Sequence, residues 1–154
     1  MDAQSVPNAS SGQNKGYDAG KKVSGIKRHI MVDTNGLVHG IYITPANETD
    51  RVGALQLLEK QKKNLPLLEK VLADGGYRGT SFADAVQECI GTVTKIVKRD
   101  ELHTFVVLPK RWRVERTFAW FEKCRRLWRN CERLVESSKA MTQIAFMRIL
   151  LKRL

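Results

Sequence analysis

The chain has only three cysteines, Cys89, Cys124 and Cys131, and no CxxC pair. That count and spacing exclude a zinc ribbon or a disulfide framework and point to reduced thiols of a cytosolic protein. Histidine is equally sparse. His29, His39 and His103 are scattered, which also argues against a zinc site. Nowhere do about 18 apolar residues run together, so no transmembrane helix is expected. The opening Met1-Asp-Ala-Gln-Ser5 lacks the basic and apolar regions of a secretory signal. Acid is also in short supply, with 16 Asp plus Glu against 27 Lys plus Arg.

The net charge of +11 is lopsided. From Lys95 to Leu154 there are 16 basic and 6 acidic side chains, whereas the first 94 residues are nearly balanced. A basic half of this kind is the electrostatic footprint of a polyanion, and aromatics interleaved with its arginines favour nucleic acid over a merely solvated or membrane-facing surface. At 154 residues the chain is one domain with room for a core.

Patterning gives an alternating order. Residues 3–24 are rich in Ser, Gly, Asn and Lys and are read as a flexible loop. A strand over 25–33 and a return strand over 37–44 flank the hairpin turn Asn35-Gly36. Thr49 or Asp50 caps a helix over about 51–63, with Val52, Leu55 and Leu58 on one face. A short buried strand at 70–74, a helix over 81–89 and a strand over 91–97 follow. A short apolar run over 104–108 stops at Pro109. Two helices close the chain, at 112–129 and at 136–154, the second capped by Ser137 or Ser138. This order implies an α/β fold with a mixed sheet flanked by helices. It also fits an RNase H-like fold if the first strand lies at or before Met1.

The acids that remain are the informative ones. Asp74 ends an apolar strand and precedes Gly75-Gly76, and ligands bind at the carboxyl ends of strands in open α/β sheets. The same Asp-Gly-Gly serves equally as a turn. Glu115 lies one turn into its helix, beside the apolar stripe Val114, Phe118 and Phe121 and flanked by Arg111 and Arg116. A glutamate there is also favoured simply by the helix dipole. Carboxylates from different elements in a basic surround suit metal-dependent phosphodiester chemistry, in which a pair of divalent cations activates the attacking oxygen and stabilises the departing one. By spacing alone, neither Asp2 nor Asp18 is singled out as a third acid. Lys21, Lys22, Lys27 and Arg28 with His29 form a basic cluster. On a strand Lys27 and His29 share a face, suited to phosphate or to solvent.

Several segments match a known family in the right order: Asp2-Ala-Gln-Ser-Val6, Gly16-Tyr-Asp-Ala-Gly-Lys-Lys22, Lys27-Arg-His-Ile-Met-Val-Asp-Thr-Asn-Gly-Leu37, Ala73-Asp-Gly-Gly-Tyr-Arg-Gly79, Val114-Glu-Arg-Thr-Phe-Ala-Trp120 and Leu134-Val-Glu-Ser-Ser138. The chain resembles the C-terminal catalytic portion of the DDE transposases of bacterial insertion sequences, in the insertion-sequence-five-like group. The resemblance implies an RNase H-like core and Mg²⁺-dependent DNA cleavage and strand transfer, with two metal ions (Mn²⁺ an alternative) held by Asp2, Asp74 and Glu115. It further implies contact with double-stranded DNA, for which Lys27, Arg28, Arg78, Arg111 and Arg116 are the candidates, homo-oligomers on DNA and a cytoplasmic, nucleoid-associated location. The alternative is a non-catalytic DNA-binding fragment. Three positions depart from the family pattern: Leu108 stands where a tyrosine is expected, Lys123 falls one position late, and Arg113 replaces an apolar residue. Because so little precedes Asp2, the first central strand is expected to be largely missing and the domain to be truncated at its N-terminus.

Overall fold

A tight turn sets the register of the main sheet. The Asp33 carboxylate accepts from the backbone N–H groups of Asn35 (2.7 Å) and Leu37 (2.9 Å), and Gly36 takes the left-handed φ of +83° that the turn requires. The turn joins β3 (Val23–Val32) to β4 (Val38–Pro45), as the Asn-Gly pair predicts. The computed structural model describes residues 1–96 and 112–152, so the apolar run over 104–108 lies outside the described residues.

β3 is the centre of a four-stranded antiparallel sheet. One edge pairs with β4, and the other pairs in turn with β1 (Asp2–Pro7) and β2 (Gly16–Asp18). The expectation of a flexible loop over 3–24 is corrected here. Asp2–Pro7 pair residue for residue with Ile30–Gly25, so this part of the first strand is present. Composition misleads here because a six-residue strand that is half polar has no apolar run to announce it.

The remaining strands, β5 (Lys70–Ala73) and β6 (Val93–Ile96), form a separate parallel pair instead of completing one mixed sheet. The Met1 ammonium links the two sheets by donating to the Leu72 carbonyl at 2.7 Å. α1 (Asp50–Gln61), capped by the Thr49 hydroxyl, joins β4 to β5, and α2 (Thr80–Ile90) joins β5 to β6. α1 buries Gly53, Ala54, Leu57 and Leu58 and packs Leu55 against the same core, so Leu55 and Leu58 face inward as expected while Val52 is exposed.

α3 (Trp112–Glu122) and α4 (Val135–Leu151) complete the fold. α3 is a full two turns shorter than its pattern suggests. Successive turns, with Cys124 N–H donating to Phe121 and Leu127 N–H to Cys124, carry the chain away from the helix axis. α4 begins after Leu134 without a side-chain cap. Ser138 is buried inside it and donates to the Asn130 amide oxygen.

Helices cover both faces of the main sheet. Ile26, Ile30, Ile41 and Ile43 pack against Val114, Phe118 and Phe121 of α3 and Phe146 of α4. On the other face Met31 packs with Leu57, Leu58, Tyr77 and Phe82. Fully burying a side chain such as Phe121 contributes roughly 1.5–3 kcal/mol. Being covered on both faces, β3 is buried throughout Gly25–Met31, its polar residues included.

Candidate active site

Asp2 and Asp74 come from elements far apart in sequence and line one cavity of about 270 Å³. Asp2 opens β1, and its Oδ1 accepts from the Ala3 N–H at 2.8 Å. Asp74 follows β5, and its Oδ1 accepts from the Gly76 N–H at 2.6 Å, capping the 3-10 turn Gly75–Tyr77. The structure thus shows Asp74 as a turn residue and as part of the cavity wall together. Other walls come from the β3–β4 turn, with Asp33 and Thr34, and from α3, with Arg113 and Val114.

Burial pushes the Asp2 carboxyl above the ordinary carboxylate range, and the charge of Asp74 pushes it further, against the Ala3 N–H, the Met1 ammonium and Lys21. Burial lowers the Met1 ammonium in turn, with both carboxylates opposing the shift. Tyr77 is fully buried against Phe82, and its hydroxyl has no hydrogen-bond partner. Its phenol is raised, first by burial and then by Asp2, Asp50 and Asp74.

Glu115 is exposed on α3 and is not among the residues lining the cavity, although its neighbours Arg113 and Val114 are. Among the described residues, no three His, Cys, Asp or Glu side chains form a ready metal cage. The two carboxylates are nonetheless the hard oxygen donors that a divalent cation takes, and a cation would relieve their mutual repulsion.

The cations expected to contact phosphate divide into two groups. Lys27 and Arg28 are 5 % and 2 % exposed. Lys27 Nζ sits 2.8 Å from Asp50 Oδ1 and 3.2 Å from Asp18 Oδ2, and donates to the Glu48 carbonyl at 2.7 Å. Arg28 donates to the Leu127 carbonyl at 2.7 Å. Both side chains are thus buried and bonded within the chain, because β3 is covered on both faces. Asp18 is held down to about 2, chiefly by the Ser5 hydroxyl, with the Lys21 N–H and Lys27 adding to the effect. Arg78 is exposed. Arg116 lies between Trp112 (4.5 Å) and Trp120 (4.8 Å) and donates to the Asn35 carbonyl at 2.9 Å. Arg111 lies outside the described residues.

Residues 1–150 match the family model described as transposase DDE domain. The chain belongs to that family. It is also 32 % identical over 127 residues to a Burkholderia cepacia protein assigned as the transposase of insertion sequence element IS402. That alignment covers 78 % of this chain and 60 % of the relative, so the chain spans less than two thirds of the relative's length. No solved structure matches the chain significantly. Transposases act on DNA, and the DDE family generally works with divalent metal ions. Among the described residues, no helix is long and apolar enough to cross a membrane.

Sequence reasoning named Asp2 only through the family resemblance, and it missed Asp33, Thr34 and the cavity-lining role of Arg113. The departure of Arg113 from the family's apolar pattern was the available signal.

Proposed function

We propose that this chain carries the catalytic chemistry of an insertion-sequence transposase: metal-dependent cleavage of double-stranded DNA at element ends and joining of the freed 3′ ends to a target. The observation that carries this reading is the convergence of Asp2 and Asp74 on one cavity beside the start of α3. The link between Met1 and Leu72, which sets β1 beside β5, supports an RNase H-like arrangement.

Asp2 and Asp74 would hold Mg²⁺, with Glu115 of α3 as the third ligand. Bound there, divalent cations supply an activated attacking oxygen and a stabilised leaving oxygen. The chain's own contribution is positional. β1 and the 3-10 turn after β5 bring two carboxylates from separate sheets to one cavity. Arg113, in the same wall, offers its guanidinium to a phosphate, and exposed Arg78 adds a cation close to Asp74 in sequence. Homo-oligomers on DNA belong to this reading.

A DNA-binding role without catalysis is favoured by one observation, that Glu115 does not line the cavity. Mg²⁺-dependent nicking of labelled element-end DNA separates the two readings. Nicking that is lost in Asp2→Asn, Asp74→Asn and Glu115→Gln while DNA binding persists supports catalysis. Nicking that survives Asp74→Asn would remove Asp74 from the site. DNA binding with no nicking under Mg²⁺ or Mn²⁺ supports the non-catalytic role.

A further inference from the structure

The segment between α3 and α4 concentrates charge on a rigid frame. From Lys123 to Arg133 there are five cations and one acid, Glu132. Buried residues recur every third position, at Cys124, Leu127 and Asn130, so the residues between them point outward. The backbone is tied down from several sides. Asn130 N–H donates to the Pro7 carbonyl (2.9 Å), and the Asn130 carbonyl accepts from Ala9 N–H (2.8 Å). The Ser11 hydroxyl donates to the Cys131 carbonyl at 2.8 Å, and buried Arg28 holds the Leu127 carbonyl. A connection between helices is ordinarily among the looser parts of a fold. This one is tied to β1, to the residues after it and to β3 by these bonds.

We infer that this turn is a second DNA-binding surface, distinct from the acid-lined cavity, with Arg125 and Arg129 taking backbone phosphates and Trp128 packing against the sugar-base edge. The inference rests on the proposed DNA-directed function. Arg126 is engaged by Glu132, whereas no carboxylate among the described residues pairs with Lys123, Arg125 or Arg129. Trp128 is 61 % exposed, and the Arg129 guanidinium sits 5.4 Å from its ring centre. These guanidiniums are solvated and uncommitted to any carboxylate among the described residues, and the indole presents an exposed apolar face beside them. Against DNA, the charges displace condensed counterions and the ring finds an apolar partner. Preorganisation of the turn lowers the entropy cost of binding.

Fluorescence anisotropy with a labelled duplex over a salt series tests this with the full chain. Arg125→Ala/Arg129→Ala should lower the log–log salt slope by roughly 1.8, about 0.9 for each phosphate left without its arginine. Trp128→Ala should weaken binding roughly fivefold or more and leave the slope unchanged. Lys62→Ala/Lys63→Ala removes the same charge elsewhere and should change the slope far less. These side chains are exposed, so the thermal melt of each variant should match the parent. An unchanged slope in the double arginine variant, or an equal fall in the lysine variant, overturns the inference while leaving the catalytic reading standing. Failure of the parent chain to bind duplex DNA overturns both.

Discussion

The imidazole of His29 fills the space where a side chain at position 53 would stand. A Cβ added to Gly53 would lie 2.1 Å from His29 Cε1. Glycine in mid-helix ordinarily costs about 1 kcal/mol relative to alanine. Here the helix accepts that cost so that α1 can lie directly on β3. Gly53→Ala is therefore expected to destabilise the fold by about 1–3 kcal/mol, the usual range for overpacking, and not to stabilise it. Urea unfolding of the two proteins measures the sign directly.

The same histidine makes stability depend on pH. Burial lowers His29 to about 4, against a partial opposing effect of Asp50, and its Nε2 sits 2.9 Å from the Thr44 hydroxyl. Between the unfolded value of about 6.5 and the folded value, the unfolded chain binds the proton and the folded chain does not. Stability from this group is thus complete above about pH 6.5 and is lost as pH falls towards 4, by on the order of 3 kcal/mol. His29→Gln should flatten that part of the profile in equilibrium unfolding at stepped pH. A parent protein equally stable at pH 6.5 and pH 4.5 would contradict it.

Much of this fold was legible because its elements obey simple periods. The Asn35-Gly36 hairpin, the strand before Asp74 and the Val114, Phe118 and Phe121 stripe all follow local rules that tertiary packing leaves intact. What the sequence concealed came from packing itself. Lys27, Arg28 and His29 look like a solvated basic cluster until β3 is seen to be covered on both faces. β1 is held by its pairing with β3, and its half-polar sequence has no apolar run to announce it. The cavity shared by Asp2 and Asp74 depends on where β1 begins relative to the end of β5, which no spacing within the chain encodes.

Lys27 offers a test of that concealed chemistry. Its ammonium bridges Asp18 on β2 and Asp50 at the start of α1, both less exposed than ordinary surface acids. Lys27→Ala would leave the two carboxylates facing each other without that counter-charge. The expected loss is about 3 kcal/mol, at the lower end for a broken buried pair because Asp50 keeps some solvent. The variant's salt slope for duplex DNA should match the parent's once folding is restored with a stabilising osmolyte. A fall in slope would return Lys27 to the residues that meet DNA.

Arg28 connects the core to the surface turn. Its guanidinium, lowered to about 10 by burial, remains charged at neutral pH, and no carboxylate among the described residues pairs with it. Its Nη1 donates to the Leu127 carbonyl, and its Nε has no partner. A buried cation spent on one carbonyl is a poor source of stability, since an apolar side chain of similar length avoids the desolvation cost. Arg28→Met should therefore leave global stability within about 1.5 kcal/mol of the parent, in either direction. What it removes is the anchor of the turn. Amide exchange at Cys124 to Trp128 should accelerate by an order of magnitude or more, while exchange in β3 and β4 stays at the parental rate. DNA affinity should fall although Arg28 itself reaches no solvent, because the arginines of the turn would then have to be ordered on binding. Unchanged exchange in the turn, or affinity equal to the parent's, would show that the other ties through Asn130 and Ser11 hold the segment without Arg28.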